Sequence, residues 1–186
     1  MTKNELILVV DLEATCWEDN VEGTDRRQTV HDMEVIEFGC VVCNKNGTVV
    51  DSKPYFVRPQ LHPLLTAFCT QLTSIRQSDV DKALSYPEVI ESLNLWLSQY
   101  ELSEWGSWGN YDKNQLLSEH SRHGVAPKFL SLSNVNIKKR WSKSNKASRN
   151  IDPKSALVHH GLEFQGKHHR AIYDALNIAR LTPFIY

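Results

Sequence analysis

Two acids close the apolar run near the start of the chain: in LILVVDLEAT, Asp11 and Glu13 follow Leu6-Ile7-Leu8-Val9-Val10. The run is short, continuous and partly β-branched, the pattern of a strand buried on both faces. Side chains alternate along a strand, so carboxylates at i and i+2 leave it on one face, about 7 Å apart along the chain. Anions that close at the rim of a core repel unless they take up protons or share cations. A metal site and a solvated strand end are the two readings left open. Other acids could join them: Asp112, just inside a predicted helix that follows a strand, and Asp174, on the last helix with His169 five residues before it. Asp112 taken alone could simply favour the first turn of its helix through the dipole. Carboxylates converging from three chain regions would form an all-oxygen site suited to magnesium or manganese. Zinc would ask for nitrogen and sulfur.

The elements that must position these groups follow from periodicity. Residues 34–42 and Thr48-Val49-Val50, joined by Asn44-Lys45-Asn46-Gly47, predict a hairpin, with a third run through Tyr55-Phe56-Val57. From Pro87, the positions Val89, Ile90, Leu93, Trp96, Leu97 and Tyr100 recur at helical spacing, an amphipathic helix against the sheet. Residues 105–109 predict a short strand feeding Asn110, an N-cap for a helix over 111–123. Residues 135–137 predict a further strand, Asp152-Pro153 a cap and first turn, and 170–181 the final helix. The stretches 17–33 and 142–151 are polar and predict loops. Three strands and then alternating helices and strands make an α/β fold, a mixed sheet covered by helices.

Composition sets the class. A chain of 186 residues suits a single domain, 1–186, and a net charge of −1 excludes a generally basic nucleic-acid binder while allowing a local basic patch. Lys138, Lys139, Arg140, Lys143, Lys146 and Arg149 form such a patch beside Trp141, and a solvated charged loop is the alternative. No segment approaches a membrane span, and a cytoplasmic protein is the default expectation. Of Cys16, Cys40, Cys43 and Cys69, the C-x2-C pair falls in a predicted strand where i and i+3 face opposite ways, so reduced, buried thiols are expected rather than zinc.

DLEAT, NYD and HRAIYD, in that order, resemble the three motifs of the DEDDh family of 3′-to-5′ exonucleases. EVIEFG, YFVRP, FCTQLTSI and DALNIARL resemble its ERI-type branch, which includes the 3′ histone-mRNA exonuclease. One departure is visible: the glycine usual after LT is Ser74. The resemblance implies an RNase H-like exonuclease fold, three antiparallel strands followed by parallel ones. It implies hydrolysis of nucleic acid from a 3′ end to nucleoside 5′-monophosphates, with RNA favoured and a proofreading or repair DNA exonuclease left open as a variant, and with two magnesium ions roughly 4 Å apart and manganese able to substitute. Asp11 would bridge the ions, Glu13 and Asp174 would complete the site of the attacking water, Asp112 would hold the second ion, and His169 would be the general base. His168 has no assigned task. The resemblance also implies that Phe68 and Leu72 pack on the terminal base, that Tyr111 stacks opposite, and that backbone at Ala14 approaches the 3′ hydroxyl. The 138–149 patch would track upstream phosphates. A module that keeps this fold and only binds nucleic acid or protein is the alternative; loss of one acid or of His169 would favour it, and none is lost.

Overall fold

The computed structural model describes residues 5–186. Its sheet contains β1 (Leu6–Ala14), β2 (Val35–Asn44), β3 (Val49–Phe56), β4 (Leu102–Ser107) and β5 (Ser133–Asn136), in the order β3-β2-β1-β4-β5. The first three pair antiparallel; β4 and β5 run parallel to β1. This is the mixed RNase H-like sheet expected. The hairpin closes where the Thr48 N–H donates to the side-chain oxygens of Asn44 and Asn46, with Gly47 in the left-handed region at φ +84°. The two runs read separately after the turn form one strand, β3, at the sheet edge. There Pro54 can sit without removing an interior ladder bond.

Strand alternation divides the core. Leu8, Val10 and Leu12 of β1, with Phe38, Cys40 and Val42 of β2, pack against α3 (Tyr86–Leu97) and Leu116 of α4 (Tyr111–His123). Ile7 and Val9, with Val41 and Cys43, pack on the opposite face against α5 (Ile137–Ser144), α6 (Pro153–His159) and α7 (Ala171–Ala179). Cys40 and Cys43 thus lie in different cores as free, buried thiols. Asp11 and Glu13 continue the odd-numbered series, so they emerge on the side covered by α7.

The helices follow local signals with two exceptions. α3 starts at a capping box made by Ser85 and Glu88, with Pro87 in its first turn. α4 has the predicted bounds, and Asp152 caps α6 by accepting the Ser155 N–H at 2.9 Å. The predicted strand at 135–137 instead ends at Asn136, whose side chain accepts the Lys139 N–H at 2.8 Å and starts α5. Only Ile137 and Trp141, four apart in a polar run, carry its helical signal, and both are buried. α5 can begin so close to β4 because Gly106 has no side chain: a Cβ there would lie 2.8 Å from Ile137 Cγ1. Asn110 occupies the N-cap position of α4 without capping it, since its Oδ1 accepts from Asn136 Nδ2 at 2.7 Å. The shorter α1 (Ala67–Thr73) and α2 (Gln77–Asp81) precede α3. Among the described residues no helix is long and apolar enough to cross a membrane.

Candidate active site

β1 delivers the first two acids, and its register explains how the others reach them. Asp11 pairs with Gly39 and Glu13 with Glu37 across the β1–β2 ladder. A Cβ at Gly39 would fall 2.0 Å from the Ala171 carbonyl oxygen, so glycine is what lets the start of α7 rest on β2 opposite Asp11. That seating brings in Asp174 from the far end of the chain. Ligand oxygens of Asp11, Glu13 and Asp174 all lie within 4.8 Å of one another. Asp112 arrives from α4 by another route: its buried Oδ1 accepts the N–H of Leu12, between the two strand acids, at 3.0 Å.

The electrostatics are those of crowded carboxylates. Burial, then Asp112 and Asp174, pushes Asp11 well above the ordinary carboxylate range; burial, then Asp174 and Glu37, does the same to Glu13. Burial foremost raises Asp112 to about 6 and Asp174 to about 7. Asp174 Oδ1 is buried and accepts no hydrogen bond. A cluster of carboxylate oxygens with a buried, unsatisfied acceptor fits a hard divalent cation.

Histidines flank this cluster. His168, His169 and Asp174 also place ligand atoms within 4.8 Å of one another. His169 adopts φ +60°, and its pKa is lowered by burial and then by His168, favouring the neutral ring. His168, to which sequence reasoning gave no task, stands with its Nε2 3.6 Å from Asp174 Oδ1 and its ring 3.9 Å from that of His169.

Phe68, Leu72 and His169 line one cleft of about 560 Å³, together with Glu18, Ala67 and Gln71. Ala14 ends β1 just past a bulge, and its carbonyl accepts the Cys69 thiol at 3.6 Å, tying the strand end to α1. Tyr111 opens α4 with 38% of its surface exposed and its hydroxyl 3.9 Å from Met33 Sδ. Ser74 ends α1 at φ +62°, so the turn that suits glycine is kept at some cost in backbone strain.

The basic patch is split. Arg140 lies 3.9 Å from Glu104 and 4.9 Å above the Tyr186 ring. Glu104 pairs with Ile7, at the opposite end of β1 from Glu13. Trp141 is fully buried rather than available for stacking. Lys138 and Lys139 begin α5 next to Asn136, which bonds to Asn110 ahead of α4. Sequence reasoning also passed over Glu37 and Arg170, joined by two hydrogen bonds of 3.0 Å beside the cluster. The available signal was an acid in the middle of VIEFGCVVC.

A sequence model of the family described as Exonuclease matches residues 8–182. The chain is 29% identical over 187 residues to 3'-5' exoribonuclease 1 of Mus musculus, covering 96% of this chain and 52% of that protein. It is 27% identical over 203 residues to ERI1 exoribonuclease 2 of Xenopus laevis, covering 96% and 28%. It thus spans about half or less of the length of these curated relatives. Among solved structures, the nuclease domain of 3'hExo, a DEDDh family member bound to rAMP, superposes with a TM-score of 0.85 at 25% identity, covering 98% of this chain and 92% of that one. A 3'-exonuclease described in 3'-end specific recognition of the histone mRNA stem-loop superposes with a TM-score of 0.84 at 26% identity, covering 97% and 63%. The chain therefore belongs to the Exonuclease family, in its DEDDh, ERI-type branch.

Proposed function

We propose that this chain, residues 1–186 forming one exonuclease domain, is a metal-dependent 3′-to-5′ exonuclease that shortens single-stranded RNA and releases nucleoside 5′-monophosphates. The observation that carries the reading is the convergence of Asp11, Glu13 and Asp174 oxygens within 4.8 Å, with Asp174 Oδ1 buried and accepting no hydrogen bond. RNA is favoured over DNA because the two relatives named above are exoribonucleases and two solved neighbours at 25–26% identity are described with rAMP and with an mRNA stem-loop.

Two divalent cations, magnesium with manganese able to substitute, would supply, when bound, positive charge that offsets the phosphate and activates water. Asp11, Glu13 and Asp174 would hold this charge, and Asp112, fixed by the Leu12 N–H, would contribute from the α4 side. His169 takes the proton of the attacking water on an imidazole nitrogen; its lowered pKa keeps that nitrogen free near neutral pH. The terminal nucleotide enters the cleft walled by Phe68 and Leu72, with Tyr111 stacking on its base and backbone at Ala14 meeting its 3′ hydroxyl. Apolar and aromatic contact with a base face tolerates any base, which suits successive removal.

Matched 5′-end-labelled RNA and DNA oligonucleotides, incubated with and without magnesium, test the reading. It expects a ladder shortening from the 3′ end only with the ion, and faster on RNA. Retention of either strand without shortening would favour the binding-module alternative.

A further inference from the structure

Glu37 is a fifth carboxylate beside the acid cluster, and nothing in the mechanism above uses it. It is fully buried, and it faces Glu13 across the β1–β2 ladder. Its partner is Arg170: Nε donates to Oε2 and Nη2 to Oε1, each at 3.0 Å, and the Ala171 N–H adds a third bond to Oε2 at 3.0 Å. The guanidinium also lies 5.2 Å above the ring of Phe56, the register partner of Glu37 on β3. Glu37 thus accepts three hydrogen bonds from two successive residues, Arg170 and Ala171, and these ties hold the residue between His169 and the first turn of α7.

That turn depends on Arg170. Its carbonyl accepts the N–H groups of Tyr173 at 2.9 Å and Asp174 at 3.0 Å. His169, just before it, sits at φ +60°, a conformation that persists only where neighbours hold it. On the far side of His169 the chain is clasped again: the Gln165 N–H donates to Asn177 Oδ1 at 3.0 Å, and Asn177 Nδ2 donates to the Gln165 carbonyl at 2.7 Å. The two clasps bracket the histidine.

We propose that Arg170 is a positioning residue of the reaction, acting through its forked bond to Glu37 to fix the start of α7 and so place both His169 and Asp174. The inference rests on the exonuclease reading, yet part of its test does not need catalysis. A guanidinium makes two parallel N–H bonds to a carboxylate; a lysine ammonium keeps the charge and loses the fork. Groups that orient a metal ligand from behind typically change metal affinity or activity about 10–100-fold when removed.

The experiment compares wild type, Arg170→Met, Arg170→Lys and Glu37→Gln by calorimetric Mn²⁺ titration, by kcat and KM on a short RNA, and by thermal unfolding. Folded Arg170→Met is expected to bind Mn²⁺ about 10–100-fold more weakly and to lose a similar factor in kcat. KM should stay within about threefold, because Arg170 does not line the cleft. Arg170→Lys should recover part of both losses. Wild-type Mn²⁺ affinity and kcat in Arg170→Met, with only the Tm lowered, would reduce the pair to a structural tie and overturn the proposal. Should Arg170→Met fail to fold, Glu37→Gln and Arg170→Lys decide by the same readouts. A wild type that binds Mn²⁺ and cuts no RNA would defeat the exonuclease reading, while the Mn²⁺ comparison still decides this one.

Discussion

Replacing Asp174 with Asn should make the cation-free protein more stable and the cation-loaded protein relatively less so. Burial and neighbouring charge raise Asp174 from 3.8 to about 7. A carboxyl raised on folding favours the native state below its unfolded pKa, and that contribution is lost as pH rises through its folded value. The loss therefore develops between about pH 4 and pH 8. Its size, at about 1.4 kcal/mol for each pH unit between the two pKa values, is at most on the order of 4 kcal/mol. Asn keeps the shape but brings an NH2 group where the carboxyl has an oxygen, a mismatch that costs about 1–2 kcal/mol at any pH. The net gain is about 2 kcal/mol at pH 8 in chelator, a Tm rise of about 4–8 °C for a domain of this size. Below about pH 4 the gain is gone and only the substitution cost remains, leaving the variant about 1–2 kcal/mol less stable than wild type. Cation at a hundred times its Kd would stabilise wild type by about 2.7 kcal/mol and the variant far less, reversing the order. Thermal unfolding at pH 4 and pH 8, with chelator and with Mn²⁺, reads all four states. A variant less stable than wild type at pH 8 in chelator, or a gap independent of pH, would refute the reasoning.

His169→Ala should lower kcat about 10²–10⁴-fold and leave Mn²⁺ affinity near wild type, with His168→Ala milder; equal kcat losses would show that the pair acts together. The wild-type rate should fall as pH drops through a pKa below 6.5, because burial and His168 lower that of His169; a limb above 6.5 would contradict this assignment. Ser74→Gly, at φ +62°, should raise stability by about 0.5–1 kcal/mol in urea denaturation. Neutralising Lys138 and Lys139 should make the salt dependence of RNA binding shallower by roughly 0.7 per phosphate contact, whereas Arg140→Gln, already engaged by Glu104 and Tyr186, should leave it unchanged.

What the sequence could reveal divides along the reach of each physical signal. Strand parity placed Asp11 and Glu13 on one face, and parity again sent Cys40 and Cys43 to opposite cores. The approach of α7 was legible only through motif order, because it depends on Gly39 having no side chain at a contact more than 130 residues away in the chain. Local rules failed where a residue found a distant partner. Asn110 has the right type and place to cap α4, yet it bonds to Asn136. Arg140 looked like part of a phosphate track, yet it lies against Glu104 and Tyr186. α5 is eight residues long with two buried apolar positions, too short for periodicity to separate it from a polar loop. Glu37 and Arg170 meet across a separation of 133 residues, and no local pattern joins them.

The central claim is that Asp11, Glu13 and Asp174 together hold the cation that hydrolysis needs. Mn²⁺ titration of wild type and Asp11→Asn, with monophosphate release from a short RNA followed in the same samples, tests it most directly. The account predicts that wild type binds Mn²⁺ and releases nucleoside 5′-monophosphates in proportion to occupancy, while folded Asp11→Asn loses both by orders of magnitude. Wild-type Mn²⁺ affinity together with wild-type release in folded Asp11→Asn would contradict it.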